Sequence, residues 1–128
     1  MLDAFAKGDW RQLLRDYREQ KISVGNFNTR AFAQISASRQ ELLKYMDGRV
    51  KIRAGFRELL AYCQREGLKF VIVSNGLDFY IEAILVGIGV NDIEVFAGQA
   101  TFRPWGIEAR YIGPDGNQLD VGFKVAHL

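Results

Sequence analysis

Lys69-Phe70-Val71-Ile72-Val73-Ser74-Asn75-Gly76-Leu77-Asp78-Phe79-Tyr80 decides the fold. Phe70 to Val73 form a continuous apolar run, the pattern of a strand covered on both faces, as in a parallel sheet. Beyond Gly76 the period changes. Leu77, Tyr80, Ile81, Ile84, Leu85 and Ile88 recur at helical spacing and stop at Gly89. Asn-Gly between two alternating strands would announce a hairpin; between a strand and a helix it makes Ser74-Asn75-Gly76 a strand-to-helix turn. In open α/β sheets ligands bind at the carboxyl ends of strands. The free N–H groups and positive potential of a helix start suit phosphate. A serine hydroxyl adds a donor, and a glycine lets backbone and ligand approach closely. The spacing alone leaves a second reading open, in which Ser74 or Asn75 merely caps the helix beginning near Leu77.

Outward from this turn, Phe56, Leu59, Leu60 and Cys63 mark a preceding helix stopped by Gly67, and Ile93 to Ala97 read as a second strand. Helix, strand, helix, strand is the alternation of an α/β layered domain. Further on, Thr101 to Arg103 and Ile107 to Ile112 can pair across Pro104-Trp105-Gly106, Pro114-Asp115-Gly116-Asn117 is a turn, and Gly122 to Leu128 start a helix. Toward the N-terminus the texture is helical. Asp9 can cap a helix presenting Trp10, Leu13, Leu14 and Tyr17, and Ser23 a second one. Ser38-Arg39-Gln40-Glu41 has the spacing of a capping box. A change of texture near residues 48–53 separates a helical part, 1–50, from an α/β part, 51–128.

The 128 residues are 48% hydrophobic and 25% charged, enough apolar material for a core and too little charge for a disordered chain. Net charge is only +2, but its distribution is uneven. Residues 1–66 carry 13 Lys and Arg against 8 Asp and Glu, and residues 67–128 carry 4 against 7. A solvated helical surface accounts for this; so does a mildly positive face that attracts small anions. Nucleic acid would call for a denser basic stripe with interleaved aromatics, so no nucleic-acid partner is expected. One cysteine, Cys63, excludes an internal disulfide and any multi-cysteine metal site, and its place on an apolar stripe makes it a small buried hydrophobe. Met1-Leu2-Asp3-Ala4 has no basic start or long apolar run, and no stretch approaches a membrane span. A cytoplasmic protein without a membrane partner is the default.

Arg53-Ala54-Gly55-Phe56, the helix after it, and Phe70 through Tyr80 together resemble the second motif region of haloacid dehalogenase-type phosphatases. The resemblance is to the phosphoserine phosphatase-like branch, and the methionine-salvage phosphatases stand nearest within it. Gly8-Asp9-Trp10 through Lys21-Ile22-Ser23 is similar to that branch's helical cap, so the likeness covers nearly the whole chain. A proline commonly precedes the glycine in such proteins, where Ala54 stands here. The resemblance implies an α/β fold: part of a haloacid dehalogenase-like Rossmannoid sheet with an N-terminal helical cap. It implies a small phosphorylated metabolite as substrate, with Ser74 hydrogen-bonding a phosphate oxygen and the Asn75 and Gly76 backbone beside it. Lys124 resembles the third-motif lysine, which neutralises phosphate and nucleophile; a solvated lysine near a chain end is the alternative. His127, the single histidine, is read as a surface residue. Arg18, Arg30 and Arg53 could meet a substrate anion or simply face solvent.

The same resemblance implies an aspartate nucleophile within an Asp-x-Asp motif, and Mg2+ held by oxygen ligands. The aspartates stand at 3, 9, 16, 47, 78, 92, 115 and 120, and no two form Asp-x-Asp. On this reading the sequence starts inside the cap region and stops just past the lysine. It is a fragment of the complete, Mg2+-dependent enzyme, binds no metal itself, and is inactive alone. In the family the nucleophile strand neighbours the strand ending at Ser74. Without it, Phe70 to Val73 would present an apolar, unpaired edge prone to self-association.

Overall fold

The computed structural model describes all 128 residues. Four helices come first: α1 (Leu2–Phe5), α2 (Trp10–Arg18), α3 (Val24–Phe32) and α4 (Arg39–Met46). Then follow α5 (Phe56–Arg65), β1 (Val71–Leu77), α6 (Asp78–Gly87), β2 (Glu94–Arg103), β3 (Gly106–Arg110) and the short α7 (Phe123–Ala126). This is an α/β chain with a three-stranded mixed sheet, consistent with part of a haloacid dehalogenase-like fold.

Local chemistry starts the early helices where the sequence places them. The Asp9 carboxylate accepts from Gln12 N–H at 3.2 Å, and Ser23 Oγ from Asn26 N–H at 3.0 Å. At α4 the capping box closes both ways: Ser38 Oγ accepts from Glu41 N–H at 3.2 Å, and Glu41 Oε2 accepts from Ser38 N–H at 2.7 Å. Each bond satisfies an N–H that the helix itself leaves free. Hydrogen bonding from Ser38 holds the Glu41 carboxyl below the ordinary carboxylate range.

The sheet runs β1-β2-β3. β1 and β2 are parallel, with Val71 opposite Glu94 and Val73 opposite Phe96. β2 and β3 form the hairpin across Pro104-Trp105, from Gln99 opposite Arg110 to Arg103 opposite Gly106. β2 is one continuous strand where the sequence suggests two pieces. The apparent break is Gly98, which a strand interior tolerates where another group comes close. A Cβ there would lie 2.8 Å from the Tyr111 ring and 2.9 Å from Leu77.

β1 is longer than the sequence suggests and less buried. It does not end at Val73 but rejoins the ladder at Leu77, opposite Gly98. Four steps along β1 therefore face two along β2, and Ser74-Asn75-Gly76 bulge out opposite Ala97 alone, two residues in excess. β1 also has a neighbour on one side only. Its burial is partial, with Val71 exposed, because α5 buries none of its residues. Cys63, on α5, is correspondingly half-buried rather than enclosed.

One cluster of buried side chains crosses residue 50. Ile35 and Leu42 from the helical part join Leu77, Phe79, Ile107, Ala109, Tyr111 and Phe123. Glycines admit the close approach that seats α3 on the rest. A side chain at Gly106 would collide with the Ala33 carbonyl, and one at Gly25 with the Asp120 carbonyl. The Arg39 guanidinium covers Phe79 and Phe102, at 5.6 and 5.3 Å from their ring centres. No helix is long and apolar enough to cross a membrane.

Candidate functional site

The bulge at the carboxyl end of β1 is held by three kinds of bond. Within it, Ser74 Oγ accepts from Gly76 N–H at 2.9 Å, a local turn closed by a side chain. Its Asn75 carbonyl is gripped from outside: Asn28 Nδ2, on α3, donates to it at 2.9 Å, and the Tyr111 hydroxyl at 2.6 Å. Just beyond, one Asp78 carboxylate oxygen accepts from Phe79 N–H at 2.8 Å and from Ala100 N–H at 3.1 Å, tying the start of α6 to β2. A Cβ at 76 would collide with the Tyr80 phenol and sit 3.2 Å from Ser74 Oγ, so a side chain fits there only if Tyr80 gives way.

This geometry removes the capping reading of the turn. Neither Ser74 nor Asn75 caps α6: the capping position is Leu77, and no side chain bonds there. The α6 start is not free for an anion either, since Asp78 places its own carboxylate on the Phe79 N–H. What the turn offers a ligand is the half-buried Ser74 hydroxyl. Its oxygen accepts one bond and its proton has no partner within the protein. A hydroxyl carries one donor and two acceptor sites, so a donor remains for an incoming oxygen.

Lys124 is exposed on α7, which packs against β1 through buried Phe123. No hydrogen bond or ion pair joins its ammonium to Ser74, Asn75 or Gly76. His127 is not a surface residue: it is half-buried, stacked on Phe96 at 4.5 Å, with a ring nitrogen 3.1 Å from the Ile112 carbonyl. Arg18, Arg30 and Arg53 are exposed and apart from the turn's hydrogen bonds. Asn28 and Tyr111 were not legible as site residues, because they lie 47 and 36 positions from Asn75. Only Gly98, with no side chain in mid-strand, signals that something crosses β2.

Burial pushes the Tyr111 phenol well above its ordinary range; the Asn28 amide pulls the other way and Tyr80 adds to the rise. Burial raises the Tyr80 phenol too, against a backbone hydrogen bond at Leu77. Both phenols therefore stay protonated through neutral pH, and Tyr111 keeps the proton it donates to Asn75. Tyr80 also lines two adjoining clefts, of about 560 and 540 Å³, between α6 and the helical part. A separate cleft of about 540 Å³ includes Cys63, Lys69 and Glu94, at the opposite end of the strands from Ser74.

A magnesium ion would need several oxygen ligands within reach of one point. No three Asp, Glu, His or Cys side chains are grouped to hold a metal ion. The carboxylate nearest the turn in sequence, Asp78, already accepts two backbone N–H groups. The residues of this chain do not fit such an ion.

A family model described as haloacid dehalogenase-like hydrolase matches residues 3–116, most of the chain. The chain belongs to the haloacid dehalogenase-like hydrolase family. Among curated relatives, this haloacid dehalogenase-like chain is similar to the 2-hydroxy-3-keto-5-methylthiopentenyl-1-phosphate phosphatase of Brevibacillus brevis, at 32% identity over 77% of the chain and 45% of the relative. It is similar to the enzyme of the same name from Geobacillus kaustophilus, at 30% identity over 80% of the chain and 46% of the relative. A third relative, the bifunctional enzyme MtnB/MtnX of Bacillus licheniformis, is 29% identical over 89% of the chain and 27% of its own length. The chain thus spans less than half the length of these curated relatives.

Proposed function

We propose that this chain is the phosphate-recognising portion of a phosphomonoester hydrolase. Residues 1–50 act as its helical cap and residues 51–128 as part of its α/β core. The observation that carries the reading is the Ser74 hydroxyl, fixed by Gly76 N–H in a bulge at the carboxyl end of β1 with its own proton uncommitted. Hydrogen bonds to charged oxygens are the stronger kind, so such a donor favours a phosphate. The Asn75 and Gly76 backbone flanks that phosphate, and Lys124 supplies positive charge to it. Membership of a hydrolase family and likeness to two enzymes named as phosphatases of a 1-phosphate compound support a small phosphorylated substrate. A cytoplasmic setting goes with that substrate.

The chain has no Asp-x-Asp pair and no donor set for magnesium. The phospho-aspartate nucleophile and any magnesium ion of the complete enzyme therefore belong to sequence outside these residues, which makes this chain a fragment. The same observation favours the second reading, a module that binds phosphate without turnover.

Calorimetric titration with inorganic phosphate tests the cradle: the chain binds, and Ser74→Ala weakens binding by about 10- to 150-fold, the loss of one charge-assisted hydrogen bond. Binding unchanged by Ser74→Ala sinks the reading. An assay of the pure chain with an aryl phosphate and Mg2+ is expected to show no turnover. Magnesium-dependent hydrolysis by this chain would overturn the assignment of the nucleophile to other sequence.

A further inference from the structure

We infer that Asn28 and Tyr111 are positioning residues for the Ser74 hydroxyl, acting on it through a single peptide plane. The inference rests on the phosphate reading of Ser74 and extends it to two residues remote in sequence. The Asn75 carbonyl and the Gly76 N–H belong to the same peptide unit, which is planar and resists twisting. Asn28 and Tyr111 both donate to that carbonyl, at 2.9 and 2.6 Å. The N–H on the other side of the plane donates to Ser74 Oγ at 2.9 Å. Fixing the carbonyl therefore fixes the direction of the N–H, and the N–H fixes the serine oxygen.

The arrangement is built for this. Asn75 has no partner in the β1–β2 ladder, so nothing in the sheet orients its peptide. A carbonyl has two lone pairs, and two donors occupy both. Tyr111 is 2% exposed, reaches the turn by crossing β2 over Gly98, and is braced by Phe123 at 5.4 Å. Asn28 comes from α3, so the helical part and the segment after β3 converge on one oxygen. The helical part thereby contributes to the phosphate turn itself.

The test uses the full chain, labelled with nitrogen-15 and titrated with inorganic phosphate, as wild type and as Tyr111→Phe, Asn28→Ala, Ser74→Ala and Ile107→Val. Tyr111→Phe keeps the ring over Gly98 and removes only the hydroxyl. Ile107 is fully buried in β3 and makes none of the turn's hydrogen bonds, so its variant controls for general destabilisation. The expected result is faster hydrogen exchange at the Gly76 amide in Tyr111→Phe and Asn28→Ala. Phosphate affinity in both falls about three- to tenfold, the loss of one neutral hydrogen bond, while Ile107→Val changes neither. Gly76 exchange unaltered in both variants overturns the inference, as does an equal loss of affinity in Ile107→Val. If Ser74→Ala abolishes binding while Tyr111→Phe and Asn28→Ala bind as wild type, the phosphate reading stands and the positioning role is rejected. A wild-type chain that binds no phosphate rejects both.

Discussion

Tyr111 shows how one side chain can serve packing and polarity together. Its ring fills the space above Gly98, and its hydroxyl closes on the Asn75 carbonyl. Because burial raises the Tyr111 phenol in the folded chain, the unfolded chain loses its proton first, near the ordinary value of 10.0. Stability from this group is complete below that pH and declines as pH rises through it, by about 1.4 kcal/mol per pH unit. Tyr80 adds to the decline in the same direction. Urea unfolding between roughly pH 9 and 11 should show a falling midpoint, and Tyr111→Phe should flatten the fall. An equally steep fall in that variant would remove Tyr111 from the account. None of this was legible from residue 111 itself: an isolated tyrosine near a turn carries no signal of what it reaches. Ser74 and Gly76 were legible because their neighbours change period around them. Asn75 drew attention for its side chain, yet its carbonyl does the joining.

At the level of elements, the helices of the first half were the clearest part of the sequence. Asp9, Ser23 and Ser38 are short polar side chains ahead of apolar periodicity, and all three cap. Ser38→Ala should cost about 1 kcal/mol, read as a lower thermal midpoint. The Glu41 carboxyl is held low, so its help to α4 is present above its ordinary value of 4.5 and fades as pH falls below it. Circular dichroism should therefore show a Glu41→Ala variant and wild type converging at acid pH. β1 was less legible. Its apolar run gave the strand but not its length, because a bulge is a matter of pairing between strands and leaves no period in one of them. β2 looked interrupted for the same reason, since the partner that makes Gly98 useful lies in another segment.

For the molecule as a whole, the sequence suggested a boundary near residue 50, while the buried side chains run continuously across it. Composition and period report where texture changes; they do not report which faces meet. The edge position of β1 has a physical cost. A strand with one neighbour leaves a row of backbone groups open to pairing with another chain. Exposed Val71 adds apolar surface at that edge. Sedimentation velocity should show a weight-average coefficient that rises with protein concentration, reduced in Val71→Lys. A monodisperse monomer across the range would count against edge association. Lys124 is exposed on α7, beside β1, with no ion-pair partner.

The bulge in β1 also has an arithmetic. It inserts two residues rather than one, and side chains alternate faces with a period of two. Leu77, fully buried, therefore points to the same side as Val73, as if nothing had been added. An insertion of even length preserves the alternation of faces, so the residues after it return to the core in register. Removing Asn75 and Gly76 together should leave a folded chain that has lost the Ser74 turn. Removing Gly76 alone should turn Leu77 outward and unfold the sheet. Thermal melts of the two deletions separate these outcomes, and a double deletion less stable than the single one would contradict the parity rule.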